Sequence, residues 1–261
     1  MTNSEAINTL SAFLGKRDVT ELTQNAIFER YGFPMVDVFV LFGGSVLCGG
    51  DILAKAIQNH IAKKFIIVGG AGHTTQTLRD KMQKVIPELQ TTDLPEAELF
   101  NSYINSLYNL SADYLETRST NCGNNISLLL ELLETEQIPC KNIIIAQDAA
   151  MQLRMEAVLK KFRSDLTIIN FATYSARVHE REKSLFFAED SAGMWDMERY
   201  ISLLLGEIPR LRDDTEGYGP NGKNYLVHVD IPNSVTEAFE TLRTSYPNLI
   251  REANPEFAHI K

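Results

Sequence analysis

The chain alternates short apolar, β-branched runs with longer stretches whose apolar positions recur at helical spacing. The clearest short runs are Val36-Asp37-Val38-Phe39-Val40-Leu41-Phe42, Phe65-Ile66-Ile67-Val68, Asn142-Ile143-Ile144-Ile145-Ala146 and Leu166-Thr167-Ile168-Ile169. A run that is apolar at nearly every position, rather than at every second one, predicts a strand covered on both faces, as in a parallel sheet. Residues 113–116 add a shorter strand. Helical spacing predicts helices over 51–61, 75–85, 95–107, 124–136 and 149–162; in the fourth, Ile126, Leu129, Leu130 and Leu133 fall in phase. Strands alternating with such helices predict repeated βαβ units, hence an α/β protein with a Rossmann-like parallel sheet flanked by helices.

The two ends depart from this rhythm. Ile7, Leu10, Phe13 and Leu14 share one helical face, and Leu22, Ala26 and Ile27 another, so residues 1–30 predict two helices laid on the core. Asn3 or Ser4 is placed to cap the first, and Asp18 or Thr20 the second. After Asn170, a helix is expected over 191–205 carrying the only tryptophan, Trp195. A polar loop over 207–223, a strand over 225–230 and a helix over 235–246 follow. The expected organisation is N-terminal helices (1–30), a Rossmann-like core (31–175) and a smaller C-terminal α+β subdomain (176–261).

Composition narrows the class of protein. With 261 residues, 44% of them apolar, the chain can bury a substantial core. The net charge of -9 argues against nucleic acid and anionic membranes as partners. The N-terminus shows no signal-peptide pattern, and no apolar run approaches the ~20 residues that span a bilayer. Cys48, Cys122 and Cys140 form no CxxC pair, which fits a reducing, cytoplasmic setting.

In an open parallel sheet, ligands bind beyond the carboxyl ends of the strands. The segments there are Gly43-Gly44-Ser45, Gly69-Gly70-Ala71-Gly72-His73, Glu116 with Ser119-Thr120-Asn121, and Gln147-Asp148. Glycine lets a backbone approach a ligand closely, and helix N-termini present free N–H groups. Each feature also has a plain structural role: a tight turn for the glycines, helix capping for Ser119, Thr120, Asn121 and Asp148, a solvated charge for Arg154. Glu116 stands out because a buried glutamate at a strand end needs a partner. Phosphate and dinucleotide fingerprints are missing: there is no GxxxxGK[ST], no GxGxxG, and no acidic residue ending the second strand. No zinc-ligand spacing is present and no metal is expected. The segment from Pro209 to Pro220, with Arg210, Arg212, Asp213 and Asp214 beside Gly217-Tyr218-Gly219, reads as a solvated loop or as a rim over the sheet edge.

Together these segments resemble the YdcF–SanA–ElyC family, most closely its cytoplasmic YdcF branch. The resemblance rests on Phe42-Gly43-Gly44, the run from Gly69 to Thr75, Glu96-Ala97, Glu116, the run from Ser119 to Asn125, and Gln147-Asp148 through Arg154. It continues through Glu198-Arg199-Tyr200, the run from Gly206 to Asp214, the run from Gly217 to Pro220, and the run from Val227 to Asp230. It implies a Rossmann-like core with polar residues gathered at the strand ends, Glu96 and Asn125 among them, and it links the chain to S-adenosylmethionine. The chain departs from the family at Asn124, where a glutamate is usual, and at Met151, where histidine is frequent. Both departures weaken an acid/base mechanism. Besides a structural or regulatory partner protein without a small ligand, two functions remain open. One is a small-molecule-binding protein for S-adenosylmethionine or a related nucleotide-like metabolite. The other is a hydrolase or transferase for a phosphate or glycosyl-phosphate ester, using Glu96, Glu116 or Asp148 as base and Arg154 and Arg212 on the phosphate.

Overall fold

The computed structural model describes residues 1–72, 74–182, 184–189 and 193–250. Five parallel strands form the central sheet: β1 (Val36–Phe42), β2 (Ala62–Val68), β3 (Tyr114–Glu116), β4 (Asn142–Ala146) and β5 (Thr167–Asn170), in the order β3-β2-β1-β4-β5. This is a Rossmann-like α/β fold, with β1 central and every residue of it buried. Its side chains alternate between the two faces. Val38, Val40 and Phe42 enter one core cluster, and Phe39 and Leu41 the other. Two covered faces explain why these strands are continuously apolar.

The helices are α1 (Asn3–Leu14), α2 (Gln24–Tyr31), α3 (Cys48–Gln58), α4 (Thr75–Val85), α5 (Glu96–Tyr108), α6 (Cys122–Thr135), α7 (Gln152–Phe162), α8 (Met197–Leu211) and α9 (Asn233–Ser245). Helices α3, α4 and α5 pack on one face of the sheet, and α1, α6, α7, α8 and α9 on the other. A β6–β7 hairpin (Val178–Arg181 with Ser184–Phe187), not anticipated from the sequence, sits between β5 and α8.

Several local expectations are corrected. Thr2 caps α1 in a capping box with Glu5, and Thr23 caps α2, in place of the expected Asn3 or Ser4 and Asp18 or Thr20. The helix expected over 191–205 begins only at Met197, because the Asp196 side chain accepts from the Arg199 N–H as its N-cap. Trp195 therefore lies ahead of the helix. The same helix continues to Leu211 through Pro209, so the polar segment starts five residues later than expected. Residues 225–230 form no strand: Val227 donates its N–H to Ala157 O, and no strand among the described residues supplies a ladder. No described helix is long and apolar enough to cross a membrane.

Candidate functional site

The strand order locates the site before any side chain is considered. The chain runs outward from β1 through β2 to β3, then crosses to the other side of β1 to form β4 and β5. The reversal point lies between β1 and β4, where an open α/β sheet leaves a crevice beyond its strand ends. Gly43-Gly44-Ser45 leaves β1 there, and Gln147-Asp148 leaves β4 there. A cavity of about 250 Å³ opens at this point. Its volume lies just below the ~300–1,000 Å³ usual for small-molecule sites.

The loops forming its floor are tied to one another. The Gly70 N–H donates to Ser119 O at 3.0 Å. A Cβ on Gly70 would lie 2.3 Å from Ser119 O and 2.7 Å from Thr117 O, so only glycine lets the two loops close. Gly43 is crowded in another way: an added Cβ would meet Glu96 Oε2 at 2.5 Å. Gly44 is different, because the nearest atom to an added Cβ is Gln147 Oε1 at 3.5 Å. Both glycines line the cavity, Gly43 packed tightly against Glu96 and Gly44 with room beside it.

Two buried carboxyl groups define the chemistry. Asp148 is 7% exposed. Its Oδ1 accepts from the Tyr174 hydroxyl at 2.6 Å and the Ala150 N–H at 2.9 Å, and its Oδ2 from the Trp195 indole N–H at 2.8 Å. Burial pushes its pKa up, against the opposing pull of those three donors. No cation lies within 4 Å of it among the described residues. Glu96, at the first turn of α5, accepts from the Thr75 hydroxyl at 2.8 Å, and that hydroxyl accepts in turn from the Gly72 N–H at 2.7 Å. Burial raises the Glu96 pKa as well, opposed by Thr75 and by the charge of Arg79.

The remaining walls come from α7 and α8. Arg154 makes a fork to Glu207, with Nε to Oε2 at 2.6 Å and Nη2 to Oε1 at 2.9 Å, and both side chains are largely buried. Along α8, Arg199, Leu203, Glu207 and Arg210 line the cavity at spacings of four, four and three, one face of a helix. The Trp195 ring receives Lys81 Nζ at 4.5 Å and the Arg199 guanidinium carbon at 5.6 Å from its centroid. Lys81 also donates to Ser45 O at 2.8 Å and Gly193 O at 2.6 Å, and so fastens the Trp195 segment to the β1 loop.

Most residues expected at the site do meet there. Gly43, Gly44, Ser45, Gly70, Gly72, Glu96, Ser119, Thr120, Asn121, Asn125, Gln147, Asp148 and Arg154 all line the cavity. His73 lies outside the described residues. Two others sit elsewhere. Glu116 does not line the cavity; its carboxylate accepts from the Arg118 and Ser119 N–H groups at 2.6 and 3.2 Å and braces the loop after β3. Arg212 caps the end of α8, its guanidinium 5.1 Å from the Phe239 ring centroid and 4.0 Å from Glu240. Asn121 serves as the α6 cap through Oδ1, which accepts from the Asn124 N–H at 3.0 Å. Arg154 is no solvated charge. The sequence reading placed Arg210 in a rim segment, and Arg210 and Tyr218 of that segment do line the cavity; Trp195 and Arg199 were not among its site residues. The helical spacing from Arg199 to Arg210 was visible in the chain, but reading residues 207–223 as a loop hid it.

No group of three or more His, Cys, Asp and Glu side chains disposed to hold a metal ion occurs among the described residues. A scan against protein-family models matched none.

Proposed function

We propose that this chain is a YdcF-like, cytoplasmic small-molecule-binding protein whose strand-end cavity takes S-adenosylmethionine or a related nucleotide-like metabolite. The observation that carries the reading is Asp148. Its direct hydrogen-bond donors are all neutral, Lys81 acts on it only from beyond 4 Å, and a ligand with a cationic or N–H-donating group adds a direct partner. S-adenosylmethionine carries both a sulfonium and an ammonium. Gly44 and Gln147 stand beside Asp148 on the cavity wall, and Gly44 leaves room for close approach. The test is a calorimetric titration with S-adenosylmethionine and S-adenosylhomocysteine. Saturable heat supports the reading, and silence at millimolar ligand removes it.

A second reading is favoured by one observation, the pair of buried carboxyl groups with raised pKa. A buried carboxyl group whose pKa is raised above the ordinary carboxylate value is better suited to general acid catalysis than an exposed one. In this reading Glu96 or Asp148 acts on a phosphate or glycosyl-phosphate ester and Arg199 and Arg210 hold the phosphate, with Glu116 and Arg212 in structural roles. Turnover in a phosphatase screen, abolished by Glu96→Gln or Asp148→Asn, supports it; a screen without turnover counts against it.

A further inference from the structure

We propose that Glu96 selects for a sugar in this cavity, its Oε2 oxygen accepting a hydrogen bond from a ring hydroxyl of the ligand. This inference rests on the reading of the cavity as a ligand site. It adds the group the ligand carries, whether on the ribose of a nucleoside or the hexose of a glycosyl phosphate.

The placement of Glu96 comes from the sheet. In a parallel sheet ordered β3-β2-β1-β4-β5, the place from which an acidic side chain grips a ribose is the carboxyl end of β2. Here β2 ends at Val68 and continues as Gly69-Gly70, which bring no side chain. The first turn of α5 fills that place from elsewhere in the chain. The Glu96 N–H donates to Gly70 O at 3.0 Å and the Ala97 N–H to Gly69 O at 2.8 Å, so donors left over at the start of a helix meet the carbonyls that leave β2. A Cβ added at Gly43 would meet Glu96 Oε2 at 2.5 Å, and one added at Gly69 would meet Glu96 Cβ at 3.0 Å. Glycine at both strand ends is what admits the glutamate to the cavity floor.

The two carboxyl oxygens have different neighbours. Oε1 accepts from the Thr75 hydroxyl at 2.8 Å, whereas Oε2 has no hydrogen-bond donor among the described residues. The Arg79 charge acts on the group from a distance, and the Arg79 N–H groups go to Leu94 O and the Gln76 side chain. Glu96 is 9% exposed and lines the cavity with Gly43, Gly44, Gly69 and Gly70, so a donor for Oε2 comes from the ligand. Burial raises the pKa of this carboxyl group, and a hydroxyl suits it in either state. A hydroxyl donates to the carboxylate and accepts from the carboxylic acid, while a cation serves the ionised form alone.

The test compares probes with and without hydroxyls on wild-type protein and Glu96→Gln. Wild type is expected to bind S-adenosylmethionine about tenfold or more tighter than its 2′,3′-dideoxy analogue, the loss that follows removal of a hydrogen bond to a charged group. Glu96→Gln is expected to weaken S-adenosylmethionine about fivefold or more and to leave the dideoxy analogue within about twofold, because a neutral amide replaces the charged acceptor. Equal binding of the two probes by wild type, or equal weakening of both by the substitution, overturns the inference while leaving the binding function standing. If neither probe binds, the S-adenosylmethionine reading fails, and glucose 1-phosphate against cyclohexyl phosphate decides the inference. A preference for the sugar that Glu96→Gln reduces supports it, and no preference or no binding overturns it. A ligand-free melt separates a ligand contact from a structural one. At neutral pH, Glu96→Gln is expected to melt at or above wild type, since Thr75 keeps an acceptor and Oε2 loses no protein donor. A melting temperature well below wild type would show Oε2 engaged within the protein and overturn the inference.

Discussion

The indole N–H of Trp195 donates to Oδ2 of Asp148 at 2.8 Å, joining the segment before α8 to the end of β4 across 47 residues of chain. Because Trp195 is the only tryptophan, its emission reports on this one site. Asp148→Asn offers one acceptor oxygen where the carboxylate offered two, so the Trp195 N–H and the Tyr174 hydroxyl compete for it. The variant is expected to show red-shifted emission and stronger acrylamide quenching than wild type. Unchanged emission would mean that the packing of Lys81 and Arg199 alone holds the ring.

Arg154 and Glu207 form a buried ion pair, and removing one partner strands the other. Arg154→Gln is expected to cost about 3–5 kcal/mol, read from urea unfolding, because Glu207 then sits uncompensated out of water. Replacing both residues with apolar side chains of similar size should recover much of that loss. A small effect of the single substitution would show that Glu207 remains hydrated.

The two glycines after β1 and β2 that look alike in the sequence differ in what they serve. Gly70→Ala pushes a Cβ against two backbone carbonyls and is expected to destabilise the protein by about 1–3 kcal/mol. Gly44→Ala meets nothing closer than 3.5 Å and should leave stability unchanged within about 0.5 kcal/mol while lowering ligand affinity. Thermal melts and binding isotherms of the pair separate the two roles.

Glu96 gives a pH dependence with a definite sign. Its folded-state pKa is raised by burial above the ordinary 4.5, so the unfolded chain gives up this proton at lower pH than the folded one. The stability it contributes is complete below that ordinary value and is lost as pH rises through the folded value. Relative to Glu96→Gln, wild-type protein should therefore lose stability on going from below pH 4.5 toward neutrality. A constant difference across that range would show a Glu96 that titrates alike in both states.

The parts of this fold legible in the chain are those set by local pattern. Apolar runs buried on two faces announced β1 and β4, with Asn142–Ala146 placed to the residue. Helical periodicity announced Thr75–Val85 equally well. The strand-end loops followed from topology, and most of their polar residues meet at one cavity. Long-range pairing was not legible. Nothing near Arg154 announces a partner 53 residues away, and nothing near Asp148 announces Tyr174 or Trp195. The alternation in residues 225–230 suggested a strand, but a strand needs an edge to pair with, and Val227, Val229 and Ile231 instead pack half-buried on the helical side of the core. Residues 207–223 read as a polar loop, yet Pro209 near the end of α8 removes only a single backbone donor and the helix continues to Leu211.

The most direct test of the central claim is a Trp195 emission titration with S-adenosylmethionine, run in parallel on wild-type protein and Asp148→Asn. A saturable emission change in wild type, weakened about tenfold or more in the variant, is the predicted result. No change at millimolar ligand, or the same curve for both proteins, would contradict a ligand site built on Asp148.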